Sequence, residues 1–278
     1  MAVRIVTDSS SGLPQEIVDE LDITVLDLHV MSKEVKDGVE TSTSGLSTLE
    51  LVAAYARQLE RGGDDGVVAL HLSSALSSTH SAAEAAAAVF DDTVQVVETG
   101  TAGMAIGAAA MAAATRANSG ADHDECLATA VDTLERSATW VYLHRIDGVR
   151  RSGRMSAGTA MLSAATLATK PLMQIVGGKL ELVGKTRTQT KAFTKLVELV
   201  AESARGEACF VAIQHNEAAD AASDLQELLE DVLPEGSSFL STTMSEVLAV
   251  HTGVGAVGVS AVFAQAPVDE SAETDAAE

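Results

Sequence analysis

Short β-branched and aliphatic runs alternate along this chain with longer, alanine-rich stretches spaced for helices. That alternation builds βα units around a mainly parallel sheet. The first run, Ala2–Val6, leads into the polar turn TDSSSGLP, and Ser11–Pro14 open a helix carrying Ile17, Val18 and Leu21. Further strands are predicted at Ile23–Leu26, Val67–His71, Val94–Val97 and Thr139–Leu143. Helices are predicted at Leu46–Arg61, Thr79–Phe90, Ala102–Ala117 and Asp124–Arg136.

The pattern changes at HRIDGVRRSGRMSAG, His144–Gly158. There Arg145, Arg150, Arg151 and Arg154, joined later by Arg187, interrupt an otherwise acidic sequence. We place a domain division at this loop, giving an N-terminal α/β domain over 1–147 and a C-terminal α/β domain over 148–267. In the second domain Pro171–Val176 and Lys179–Val183 flank Gly177–Gly178, a turn that closes hairpins. Helix is expected at Thr188–Ala204, strand at Ala208–Gln214, helix at Glu217–Leu233 and a last strand near Gly255–Phe263. The acidic residues after Pro267 carry no compensating base, so 268–278 read as a disordered, solvated tail.

Composition narrows the function. Hydrophobic residues make up 46% and aromatics 3%, so Ala, Val, Leu and Met must fill the core. A net charge of -22 repels nucleic-acid phosphates and anionic membranes, so neither is expected as a partner. Thr101–Thr115 is apolar but too short and too alanine-rich to span a bilayer. The start lacks the apolar core of a signal peptide, and a cytoplasmic location is expected. Cys126 and Cys209 stand alone, so no metal site or disulfide framework is indicated.

Several segments carry candidate chemistry. In HLSSALSSTHSAAEAA, His71–Ala86, an apolar strand enters a serine-rich turn before a helix. Helix starts expose N–H groups and a partial positive charge, a ready anion site to which Ser77 and Ser78 would add hydroxyls. The alternative is that these serines only cap the helix, with Ser81 and Glu84 forming a capping box. Thr41–Leu51 is a second Ser/Thr cluster before a helix, with Thr43 or Ser44 as possible N-cap. Near the end, His251 precedes a Gly253–Gly258 pattern of dinucleotide type, but β-type residues follow where a helix is needed. Those glycines instead allow close backbone approach. Finally Arg150–Met155 and Lys185–Lys191 form a basic patch, either a solvated face or a surface for an anionic partner or phosphate.

Taken in order, these segments resemble the DegV family. The family's TDSxxDL is similar to Thr7–Leu13, with Gly12 in place of Asp, and its TSQPS to Thr43–Ser47. Its SSxLSGTY resembles Ser73–His80, with Ser78 for Gly, and its KxGRI resembles Arg151–Met155. RTxxKA matches Arg187–Ala192, and the closing HxGPGxxG resembles His251–Gly258. The resemblance implies two α/β domains with a tunnel between them for a long-chain fatty acid. It also implies a carrier without chemistry or cofactor of its own, presenting the acid to a separate kinase for acyl-phosphate formation and phospholipid synthesis. By position, Thr43, Ser77, Ser78 and His251 would receive the carboxylate. Arg154 and Arg187 would face the kinase or the acyl phosphate, and Met104–Met111 and Met161–Leu167 would wall the tail.

Other classes of function remain open on sequence. Ser77 with His251 as base would make an acyl hydrolase or transferase, although no GxSxG elbow is present. A module that binds a protein and no lipid is the third reading.

Overall fold

The computed structural model describes residues 2–35, 38–146, 149, 153–156 and 169–266. β1 (Arg4–Asp8) is largely buried and runs into a 3-10 turn over Ser9–Ser11. There follow α1 (Gln15–Leu21), β2 (Thr24–Leu26), β3 (His29–Val35), β4 (Gly38–Ser44) and α2 (Thr48–Gly62). β5 (Val67–His71), α3 (Thr79–Ala87), β6 (Val94–Glu98), α4 (Met104–Asn118) and α5 (His123–Glu135) come next. Strands β2-β1-β5-β6 form one sheet in that order, parallel throughout, as expected. Every residue of β5 is buried, which a parallel strand covered on both faces requires.

A second sheet begins with β7 (Ser137–Tyr142), β8 (Lys170–Val176) and β9 (Lys179–Thr186). It is completed, after α6 (Gln189–Ala204), by β10 (Phe210–His215), then α7 (Ala219–Val232), β11 (Ser238–Thr243), α8 (Glu246–Thr252) and β12 (Val257–Val262). The order is β11-β10-β12-β7-β8-β9, antiparallel except for the β10–β11 pair. The expected division after residue 147 falls outside the described residues, and this sheet takes β7 from before it. Strand periodicity sorts its two faces. Trp140, Tyr142, Ile213 and Val259 pack in the core with Phe193 and Leu196 of α6 and Leu225 of α7. Thr139, Val141, Gln214, Gly258 and Ser260, one position out of phase, line a cavity on the other face.

Several expectations need correction. β3 and β4 pair as a hairpin that the sequence reading left without structure. Met31, Ser32, Lys33 and Glu34 are all exposed, so no buried face imposes a period on them. β11 and α8 were likewise not anticipated. Thr43 and Ser44 do not cap α2, because they end β4; Ser47 is the cap, closing a capping box with Glu50. Ser81 and Glu84 form no capping box, since both lie inside α3. Ile106, Ala109 and Ala110 of α4 pack into the first domain's core instead of walling the cavity. Arg150, Arg151, Met161–Leu167 and the 268–278 tail lie outside the described residues. Among the described residues no helix is long and apolar enough to cross a membrane.

Candidate functional site

A cavity of about 370 Å³ lies between the two sheets. Ser10, Leu28, Leu72 and Gly103 line it from just beyond the carboxyl ends of β1, β2, β5 and β6. Ligands of open parallel sheets gather at that edge, because loops there diverge and leave a crevice. Val141, Ile175 and Leu180 of the second sheet, with Val247 and Leu248 of α8, supply an aliphatic wall.

Thr43, Ser77, Ser78, Arg154 and His251 all line this cavity. Thr43 Oγ1 and His251 Nε2 are 2.8 Å apart, a contact between residues 208 positions apart in sequence. The end of β4 and the end of α8 deliver them to one place. Ser77 Oγ lies 2.9 Å from Thr79 Oγ1 and accepts the Thr79 N–H at 3.2 Å. The Leu46 N–H reaches Thr79 Oγ1 at 3.4 Å, which ties the β4–α2 connection to the serine turn.

Gly45 makes that junction possible. A Cβ there would stand 2.6 Å from Thr79 Oγ1 and 3.1 Å from Ser77 Oγ. Sequence reading passed over Gly45, although a glycine between two Ser/Thr-rich segments is a sign of close approach. The serine turn spends most of its own amides. Ser77 N–H bonds to Ser73 O at 3.1 Å and Thr79 N–H to Ser77 Oγ, so neither is available to an anion. The expected recognition by helix-start amides therefore loses the Ser77 and Thr79 N–H groups.

Arg154 touches the serine turn as well as lining the cavity. Its guanidinium Nε donates to Leu76 O at 2.8 Å, bracing the loop that carries Ser77, while the residue stays exposed at the cavity rim. Burial, and after it the Arg154 charge, hold the His251 imidazole below its usual range. His251 is thus neutral near pH 7, with one ring nitrogen bearing hydrogen. Arg187 is exposed beyond β9 and is not among the lining residues. Among the described residues no group of His, Cys, Asp and Glu is placed to hold a metal ion.

A second polar cluster, missed from sequence, sits directly beneath. Asp8, His71 and Tyr55 are all fully buried. Asp8 Oδ1 accepts from Ser10 N at 2.9 Å and Ser10 Oγ at 2.5 Å. Its Oδ2 accepts from Leu72 N at 3.2 Å and faces His71 Nδ1 at 3.0 Å. His71 Nε2 lies 2.9 Å from the Tyr55 hydroxyl. Burial, with the Asp8 charge second, pushes the Tyr55 phenol far up, so it remains a neutral donor. The cluster pins together the ends of β1 and β5, from which the Ser10 and Leu72 edge of the cavity projects. The legible signal was a histidine closing an otherwise apolar strand.

Comparison with known proteins places the chain in a family. The model of the family described as "Uncharacterised protein, DegV family" matches residues 2–264. A DegV domain-containing protein of Corynebacterium glutamicum is 61% identical over 269 residues, 96% of each chain. The crystal structure of a DegV family protein from that organism superposes with a TM-score of 0.92 at 60% identity, covering 96% of this chain and 99% of the other. A fatty-acid-binding DegV family protein of Thermus thermophilus superposes at 0.86 with 27% identity, covering 94% and 99%. The chain therefore belongs to the DegV family.

Proposed function

We propose that the cavity binds a long-chain fatty acid, with its carboxylate at Thr43, Ser77, Ser78 and His251. The observation that carries this reading is the joining of Thr43 to His251, and of Ser77 to Thr79, on the wall of a cavity that also has aliphatic walls from Val141, Ile175, Leu180, Val247 and Leu248. Each pair leaves a hydroxyl proton to offer. With His251 Nε2–H donating to Thr43 Oγ1, the Thr43 proton is released toward a carboxylate oxygen. With Leu46 N–H and Thr79 feeding the chain to Ser77, the Ser77 proton is released in the same way. A buried carboxylate needs such donors. The tail needs only aliphatic walls, at about 0.8 kcal/mol per buried methylene. The similarity to the Thermus thermophilus fatty-acid-binding protein supports the same ligand class.

In this reading the chain is a carrier with no chemistry of its own. It hands the carboxylate, in the bacterial cytoplasm, to a separate kinase that forms the acyl phosphate for phospholipid synthesis. Arg154 at the rim and Arg187 outside it would meet the kinase or the new phosphate charge. The competing hydrolase reading lacks its central contact, since His251 pairs with Thr43 and Ser77 with Thr79. Mass spectrometry of lipid extracted from the purified protein, against a mock purification, tests the proposal. A stoichiometric fatty acid supports it. A protein that carries none and takes up none when offered overturns it. Labelling of Ser77 by a covalent serine probe would favour the hydrolase instead.

A further inference from the structure

The cavity's second-sheet wall is not uniformly apolar. Thr139 and Ser260 are cross-strand partners on β7 and β12, and Gln214 of β10 is the partner of Gly258. All three line the cavity, with Ser260 3% and Gln214 4% exposed. Gln214 and Ser260 are diagonal neighbours on one sheet face. An alkyl chain alone would call for Val or Leu at these positions.

Their hydrogen bonding is incomplete. Thr101 Oγ1 donates to Thr139 Oγ1 at 3.2 Å, and Thr139 Oγ1 lies 3.1 Å from Ser260 Oγ. With Thr101 Oγ1 donating to Thr139 Oγ1 and Thr139 Oγ1 to Ser260 Oγ, the Ser260 proton is left to find an acceptor in the cavity. Only in the reverse order, ending on the long 3.5 Å contact from Thr101 Oγ1 to Ala102 O, are all three used inside the chain. Gln214 Oε1 accepts the Met104 N–H at 3.1 Å, which fixes the amide's orientation. Its Nε2 is buried and, among the described residues, has no acceptor. Donors left over in a buried place are rare unless a ligand or water takes them.

Resting on the fatty-acid reading, we propose that Ser260, Thr139 and Gln214 form a second polar subsite, selecting an acyl chain that carries a hydroxyl or keto oxygen along its length. The oxygen accepts from the surplus donors, while the carboxylate remains with Thr43 and Ser77. A purely structural account, in which these residues only fasten the Thr101–Met104 connection to the second sheet, explains Gln214 Oε1 but not Nε2.

Titration of the full chain with stearic acid and its series of monohydroxylated derivatives tests this. For at least one hydroxyl position we expect binding about tenfold tighter than stearic acid, the ratio that about 1.4 kcal/mol produces. Ser260→Ala and Gln214→Met should each shrink that ratio toward one. Stearic acid bound as well as every derivative overturns the subsite and leaves the carrier reading standing. A preference unchanged in both variants also overturns it. No acid bound at all removes both readings. The wild-type series decides by itself, so a variant that fails to fold does not shelter the idea.

Discussion

Two clusters of the same residue types lie one above the other in this molecule and do opposite things. Around Asp8, a serine, a histidine and a tyrosine are fully buried, and four donors meet both oxygens of one carboxylate. Around Thr43, Ser77 and His251 are partly buried with Thr43 itself, Ser78 is exposed, and there is no acid among them. The first brings its own anion and saturates it. The second has hydroxyls and an imidazole and no carboxylate among them. Saturation marks the part that holds the fold, and under the proposed function the surplus donors mark the part that would take the ligand.

The comparison breaks hardest at Asp8. Asp8→Asn turns one accepting oxygen into an NH2 group facing donors, so the unfolding free energy should fall by about 3 kcal/mol or more. Thermal or denaturant unfolding measures it; a variant as stable as the parent would mean that the cluster is not what joins β1 to β5. In the open cluster the effect should move from stability to binding. Ser77→Ala should weaken fatty-acid affinity by about tenfold or more, the loss of one hydrogen bond to a charged group, with unfolding little changed. Unchanged affinity would remove Ser77 from the carboxylate site.

The contrast also shows what the sequence could and could not say. Burial pattern alone located β5 and the helices α2 to α7 closely, because long apolar periods leave few alternatives. It missed the β3–β4 hairpin, whose exposed residues carry no such period. Thr43 and His251, 208 positions apart, meet only through folding. Nothing local in either segment selects the other, and only the ordered resemblance to a family put them in one site. The Asp8–His71–Tyr55 cluster was missed for a related reason: His71 closing an apolar strand was a hint, but nothing local ties it to Asp8 or Tyr55.

Smaller effects sharpen the boundary between the clusters. Tyr55→Phe removes one donor from His71 and should cost about 1 kcal/mol of stability, read as a lowered unfolding midpoint with fatty-acid affinity retained. A large loss of affinity in that variant would show that the sealed cluster also tunes the open one.

The gentlest probe is Arg154→Gln. Burial first and the Arg154 charge second keep His251 below its ordinary value of 6.5. Removing the guanidinium charge takes away the smaller cause, so the imidazole midpoint, followed by NMR in the ligand-free protein, should move up yet stay below 6.5. The sign for stability follows. A histidine depressed in the folded state resists a proton that the unfolded chain accepts. Its contribution is therefore present above the unfolded value near 6.5 and is lost as pH falls through the folded midpoint. Ligand should act the other way, because a bound carboxylate beside Thr43 favours the imidazolium and raises the same midpoint. A midpoint that fails to move with either Arg154→Gln or fatty acid would place His251 outside the electrostatic reach of the rim and the head group. It would then be left with a single role, orienting the Thr43 hydroxyl.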